Sequence, residues 1–158
     1  VIARRTARPP KSCIATAIRM LARREYGRAE LRGRLIERGA DAQEAERALD
    51  ELERRGYLSD ARFAQAVVAQ KAGRYGRRAI AHELKERGVA ADAAQAALAV
   101  LAGTDELAEA MALWRKRFDR PPADEREKAR QVRFLVSRGY GVSVALKVLR
   151  AVAHEATD

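Results

Sequence analysis

Residues Tyr26–Gly39 read YGRAELRGRLIERG, and residues Tyr75–Gly88 read YGRRAIAHELKERG. The two stretches share an opening Tyr-Gly-Arg, a closing Glu-Arg-Gly and a length. Gly39 and Gly88 lie 49 residues apart, and a third Arg-Gly pair, Arg138-Gly139, follows 51 residues further on. A period of this length marks a repeat architecture, in which one small unit completes its core by stacking on copies of itself.

Laying the three Arg-Gly marks over one another brings the apolar positions downstream into register. Ala45 matches Ala94 and Ala145, Leu49 matches Leu98 and Leu149, and Leu52 matches Leu101 and Val152. The spacing i, i+4, i+7 is one face of a helix. Upstream, Leu31 and Leu35 match Ile80 and Leu84, with Leu135 third in the latter series, which predicts a second helix per unit. A further helix precedes each of these, carrying Ile14, Ile18 and Leu21, then Phe63 and Val67, then Leu107, Met111, Trp114 and Phe118.

Gly39, Gly56 and Gly88 fall where a helix stops in a left-handed conformation that a residue without Cβ adopts cheaply. Asp41, Ser59 and Thr104 precede helical patterns and are expected to cap them, and Asp41 with Glu44 has capping-box spacing. Pro121-Pro122 is expected to end the first helix of the third unit. Aromatic residues make up only 5% of the chain, and no period-2 run suggests a strand. The expected fold is therefore all-α: three tandem three-helix repeats in an elongated, curved, solenoid-like array. The predicted divisions are a basic tail over residues 1–12 and repeats over 13–58, 59–103 and 104–158.

The chain of 158 residues carries 32 Lys and Arg against 22 Asp and Glu, a net charge of +10, which points to a polyanionic partner such as nucleic acid. Cys13 is the single cysteine, so no disulfide forms within the chain and no multi-cysteine zinc site can be built; a reducing cytoplasm fits. The longest apolar run is alanine-rich, broken by Asp92 and Gln95, and too short to span a membrane. No phosphate-cradling glycine loop, paired-histidine spacing or nucleophile elbow is present, and His82 and His154 are far apart, so neither an enzyme nor a bound cofactor or metal is expected. Trp114 and Phe118 continue the Leu107 and Met111 stripe, which reads as core packing rather than as a stacking platform.

The basic residues divide by position. Arg38, Arg87 and Arg138 stand in a last helical turn, where the helix dipole favours a cation by roughly 0.3–1 kcal/mol. Arg28 and Arg77 instead open the second helix of their units, where the dipole opposes them, and Arg78 adds to the opposition. Cations beside the free amides of a helix start mark an anion site, for phosphate or carboxylate. The candidate contact residues are Arg28, Arg32, Arg74, Arg77, Arg78 and Lys85, with Arg115, Lys116 and Arg117 on the third unit. On this reading Arg28→Glu or Arg77→Glu leaves folding intact or slightly improves it. The third helix of unit one, with Asp41, Glu44, Glu46, Asp50, Glu51 and Glu53, is expected to offer an acidic face to a basic protein partner.

The segments AIRMLARREYGRAELRGRL (Ala17–Leu35), LDELERRGYLSDARFA (Leu49–Ala64) and RFLVSRGYGVSVALKVL (Arg133–Leu149) resemble the RecX regulatory proteins of bacteria. The likeness runs from Ile14 to about Val152; Gly27 departs from it, standing where a capping Ser is frequent. The apolar stripes are consumed by packing, so a monomer is expected; the resemblance implies a regulator that binds the RecA filament on single-stranded DNA and lowers its ATPase, strand-exchange and coprotease activities, and so acts in DNA repair and the SOS response. It supplies no catalytic residues and leaves open whether the protein caps filament ends or coats the groove; a footprint along the groove would bridge neighbouring subunits. Direct affinity for single-stranded DNA is expected to be weak and salt-dependent. The rival reading is a helical-repeat nucleic-acid-binding module with no RecA partner.

Overall fold

The computed structural model describes residues 12–158; apart from Ser12, the basic tail lies outside them. Among the described residues there are nine α-helices and no strand: α1 (Cys13–Leu21), α2 (Arg28–Glu37), α3 (Ala42–Arg54), α4 (Asp60–Lys71), α5 (Arg77–Glu86), α6 (Ala91–Leu98), α7 (Glu106–Arg117), α8 (Glu125–Ser137) and α9 (Val142–Glu155). They form three successive three-helix repeats. The backbone groups into two compact units, the first ending at Asp60 and the second running Ala61–Asp158. The first unit holds one apolar cluster and the second holds two.

The registered positions build these clusters. Leu31, Leu35, Ala45, Leu49 and Leu52 are buried in the first repeat, Ile80, Leu84 and Leu98 in the second, and Leu135, Ala145, Leu149 and Val152 in the third. Each large side chain removed from water contributes about 1.5–3 kcal/mol, so the aligned positions are the main apolar source of stability in each unit. Each second helix ends in the same way. Arg38, Arg87 and Arg138 are the C-caps, and Gly39, Gly88 and Gly139 follow at φ of 94°, 78° and 95°. The next amide bonds back to the helix, from Ala40 N to Leu35 O, Val89 N to Leu84 O and Tyr140 N to Leu135 O. This is a Schellman motif, with glycine at the left-handed position.

Three local expectations are corrected. In α1 the buried residues are Cys13 and Ala17, while Ile18 is 39% exposed. Ile14 and Leu21 pack against the core as partly buried residues, and the small side chains of Cys13, Ala17, Ala45 and Ala48 share its buried cluster. Asp105, not Thr104, caps α7, accepting from Ala108 N at 3.1 Å, while the Thr104 hydroxyl donates back to Leu101 O at 2.7 Å. Finally, α7 stops at Arg117, ahead of the prolines, because Phe118 is already extended (φ −126°, ψ 143°).

Within the second unit, the second and third repeats meet backbone to backbone. Gly76 N donates to Arg138 O at 2.6 Å. A Cβ on Gly76 would overlap Gly139 O, and one on Gly139 would overlap the Ala79 Cβ. Glycine is required at both positions by proximity, and at Gly139 by its positive φ as well.

Candidate functional site

The start of α2 is where the sequence pattern asks for an anion. Gly27 is the N-cap and has no side chain to offer the first turn. The backbone amide of Arg28 donates instead to Asp60 Oδ1 at 2.8 Å, so a carboxylate from the first residue of α4 supplies the missing cap. The Arg28 guanidinium reaches Glu46 and Asp50 at 2.7 Å each and Glu53 at 3.1 Å. Glu46 also accepts from Arg32 Nε at 2.6 Å. Positions 46, 50 and 53 follow i, i+4, i+7 and so line one face of α3, turned towards α2.

Burial works against the Arg28 charge, but hydrogen bonds to Glu46, Asp50 and Glu53 outweigh it and hold its pKa above the ordinary arginine value. Hydrogen bonds from Arg28 and then Arg32 hold the Glu46 carboxyl below the usual range. Glu51, bound by Arg54 and Arg55, is pulled down to about 2. The anion at the start of α2 is thus the protein's own. Two expectations change as a result: Arg28 is a stabilising hub, not a strained cation, and the acidic face of α3 is largely taken up by Arg28, Arg32, Arg54 and Arg55. The i, i+4, i+7 spacing of Glu46, Asp50 and Glu53 was the available signal.

In the second repeat the free-amide logic is answered differently. The first amide of the α5 start, Gly76 N, is used by Arg138 O. Arg77 donates to Leu98 O at 3.3 Å, placing its cation at the C-terminal end of α6, where unsatisfied carbonyls favour it. The Arg78 guanidinium lies against Gly141, within 3.5 Å of where a Cβ would stand. Arg74 donates to Gln70 O at 2.9 Å, and Lys85 is exposed on α5. In the third repeat Arg115 pairs with Glu155 at 2.9 Å, Lys116 is exposed, and Arg117 lies 5.5 Å from the Phe118 ring. Of the nine candidates, the structure gathers Arg28 and Arg32 on one carboxylate, Glu46. Among the described residues no two of the other seven share a bonding partner.

The remaining titratable groups offer little chemistry. Cys13 is buried, and its thiol pKa is raised by burial and then by Glu44, which keeps it protonated and unreactive. His82 is exposed, and so is His154, 4.0 Å from Asp158. Among the described residues no group of His, Cys, Asp and Glu could hold a metal ion, and no helix is long and apolar enough to cross a membrane.

Comparison with known proteins gives this arrangement its relatives. Family models for the first, second and third three-helix domains of RecX match residues 13–52, 59–98 and 104–149, in that order. The chain is 47% identical over 148 residues to the regulatory protein RecX of Leptothrix cholodnii, covering 94% of each chain. It is 43% identical to that of Ralstonia nicotianae, covering 90% of this chain and 89% of the relative. The crystal structure of RecX from Lactobacillus salivarius superposes with a TM-score of 0.71 at 15% identity, over 89% of this chain and 94% of that one, a likeness of fold alone. With three matched domains in order and such identity over most of its length, the chain belongs to the RecX family of regulatory proteins.

Proposed function

We propose that this protein binds the RecA filament on single-stranded DNA and lowers its ATPase, strand-exchange and coprotease activities, acting as a non-catalytic monomer in the cytoplasm. The observation that carries the reading is the ordered set of three RecX domains, together with close relatives named regulatory proteins. The net charge of +10 supports a partner that carries phosphate. A protein that touches more than one filament subunit holds them in one conformation and so obstructs the changes that accompany ATP turnover. Because four of the five acidic side chains of α3 (Glu46, Asp50, Glu51 and Glu53) are engaged by arginines, the protein contacts are to be sought on Lys85, Lys116 and the arginines of the second and third repeats.

The test is ATP hydrolysis by RecA on single-stranded DNA with increasing amounts of this protein. A progressive fall in the rate is expected. An unchanged rate, with the protein shown to be folded and bound to DNA, would favour a nucleic-acid-binding repeat module without a RecA partner.

A further inference from the structure

Rings and cations alternate along one strip of the second unit. Lys71 lies 4.9 Å from the Tyr75 ring, and Arg138 lies 5.6 Å from that ring and 5.2 Å from Phe134. Phe134 meets Phe118 edge-on at 5.4 Å, and Phe118 has Arg117 at 5.5 Å and Arg130 at 5.9 Å. The helix explains much of this order. Arg130, Phe134 and Arg138 recur every four residues, so they share one face at the end of α8 and span ~12 Å of its axis. Tyr75 joins from the α4–α5 turn and Phe118 from the end of α7. All three rings are half-buried.

The strip's arginines stand apart from the cations that are ion-paired. Arg24, Arg28, Arg32, Arg54, Arg55, Arg87, Arg115 and Arg120 each meet a carboxylate. Arg117, Arg130 and Arg138 have no ion-pair partner among the described residues, and rings hold them instead. A guanidinium laid on a ring has lost rotamer freedom before any ligand arrives, while its edge N–H donors stay available for phosphate. Its planar face also accepts an unpaired base by stacking.

We propose that Arg117, Arg130 and Arg138, held by Phe118, Phe134 and Tyr75, form a binding strip for single-stranded nucleic acid. The inference rests on the proposed function only for its choice of a nucleic-acid partner. A duplex keeps its bases stacked inside and leaves the guanidinium faces unused, and an acidic peptide has no base to lay on them. Neither residue-type rule applied to the sequence finds this strip, since Arg138 is accounted for there by the helix dipole and Phe118 by core packing.

The test is fluorescence anisotropy of a labelled oligothymidylate with the full chain and no other protein present, over a series of salt concentrations. The triple variant R117Q/R130Q/R138Q should lose affinity at least tenfold at low salt, and its slope of log affinity against log salt should flatten by about 2, the value for three lost phosphate contacts on a single strand. A control triple, R23Q/R34Q/R47Q, removes the same charge from exposed sites in the first unit and should change affinity much less. R130K/R138K keeps the charge but loses the planar face, so its affinity should fall while the salt slope holds. Equal losses in the two triples, or none in the first, would overturn the strip. Full affinity in the lysine variant, or equally tight and equally strip-dependent binding of a duplex of the same length, would overturn the single-strand assignment. RecA is absent from the assay, so failure here leaves RecA regulation standing, and an intact strip with no effect on RecA ATPase would sink only the latter.

Discussion

Arg28 carries the sharpest consequence of any single side chain. Its guanidinium binds three carboxylates of α3 and its backbone amide binds Asp60, so α2, α3 and the start of α4 are tied at one residue. Surface ion pairs in isolation contribute little, but charge-assisted hydrogen bonds on a side chain only 27% exposed are stronger. Arg28→Glu replaces the hub by a fourth negative charge, and we expect a loss of about 2 kcal/mol or more, seen as a lower denaturation midpoint at unchanged slope. Arg77→Glu, whose side chain makes one long bond to Leu98 O, should cost much less; equal costs would count against the hub. Tyr140 presents the opposite case. It is 1% exposed, its hydroxyl has no hydrogen-bond partner among the described residues, and burial, then Glu109 and Glu106, push its pKa up to about 12. The fold therefore favours the neutral phenol, with full stability below the ordinary value of 10 and progressive loss as pH rises towards 12. Tyr140→Phe should leave stability at neutral pH unchanged or raise it by about 1 kcal/mol, and should remove that alkaline loss. Thermal melts at neutral and alkaline pH check both, and a lower neutral melt in the variant would show that the hydroxyl is in fact paired. For Arg28 the sequence carries a partial signal, the carboxylate stripe of α3, but not that the stripe faces α2; for Tyr140 it carries none, because both environments are set by contacts across tens of residues.

Helices and their ends were far more legible, because they depend on local periodicity. The apolar register between repeats places Leu35, Leu84 and Leu135 in three separate cores, and Gly39, Gly88 and Gly139 end the second helices alike. What periodicity cannot reveal is that one of these glycines has a second duty. Gly39 at φ 94° has nothing within 4 Å of a Cβ position, whereas a Cβ on Gly139 at φ 95° would overlap Ala79 and crowd Gly76 O. An alanine at either site takes on the left-handed penalty of roughly 1–2 kcal/mol, but only Gly139→Ala must also separate two repeats. We therefore expect Gly139→Ala to cost at least about twice what Gly39→Ala costs in urea unfolding, a difference at the scale of packing overlap. Similar costs at both positions would mean that the backbone contact between the second and third repeats yields easily. In α1 the expected Ile14 and Leu21 pack against the core, and only Ile18 departs; the fully buried positions are Cys13 and Ala17, small side chains that weigh little in a hydrophobic pattern.

At the scale of the whole molecule the decisive quantity is where the surplus charge resides. Residues 13–58 hold 10 basic and 9 acidic side chains, residues 59–103 hold 7 and 4, and residues 104–158 hold 11 and 9. The first repeat is nearly balanced, and the ion pairs of α2 and α3 consume much of what it has. Among the described residues the large apolar side chains left exposed, Ile18, Ile36, Tyr57, Val100, Val136 and Val142, are spread over separate helices and turns and form no seam for self-association. Sedimentation is expected to show a monomer at all concentrations tested. Tyr57, 55% exposed, is the only aromatic side chain in the exposed class among the described residues, so base stacking on open rings adds little to affinity for nucleic acid. Phosphate neutralisation must then supply most of it, and that contribution is carried by counterion release. Binding to single-stranded DNA should accordingly be modest at physiological salt and fall linearly in log–log form as salt is raised, by roughly 0.7 in slope per phosphate engaged. Affinity that persists in high salt would require a contact surface of another kind, with buried apolar area or base-specific hydrogen bonds, and would contradict a partner recognised through charge.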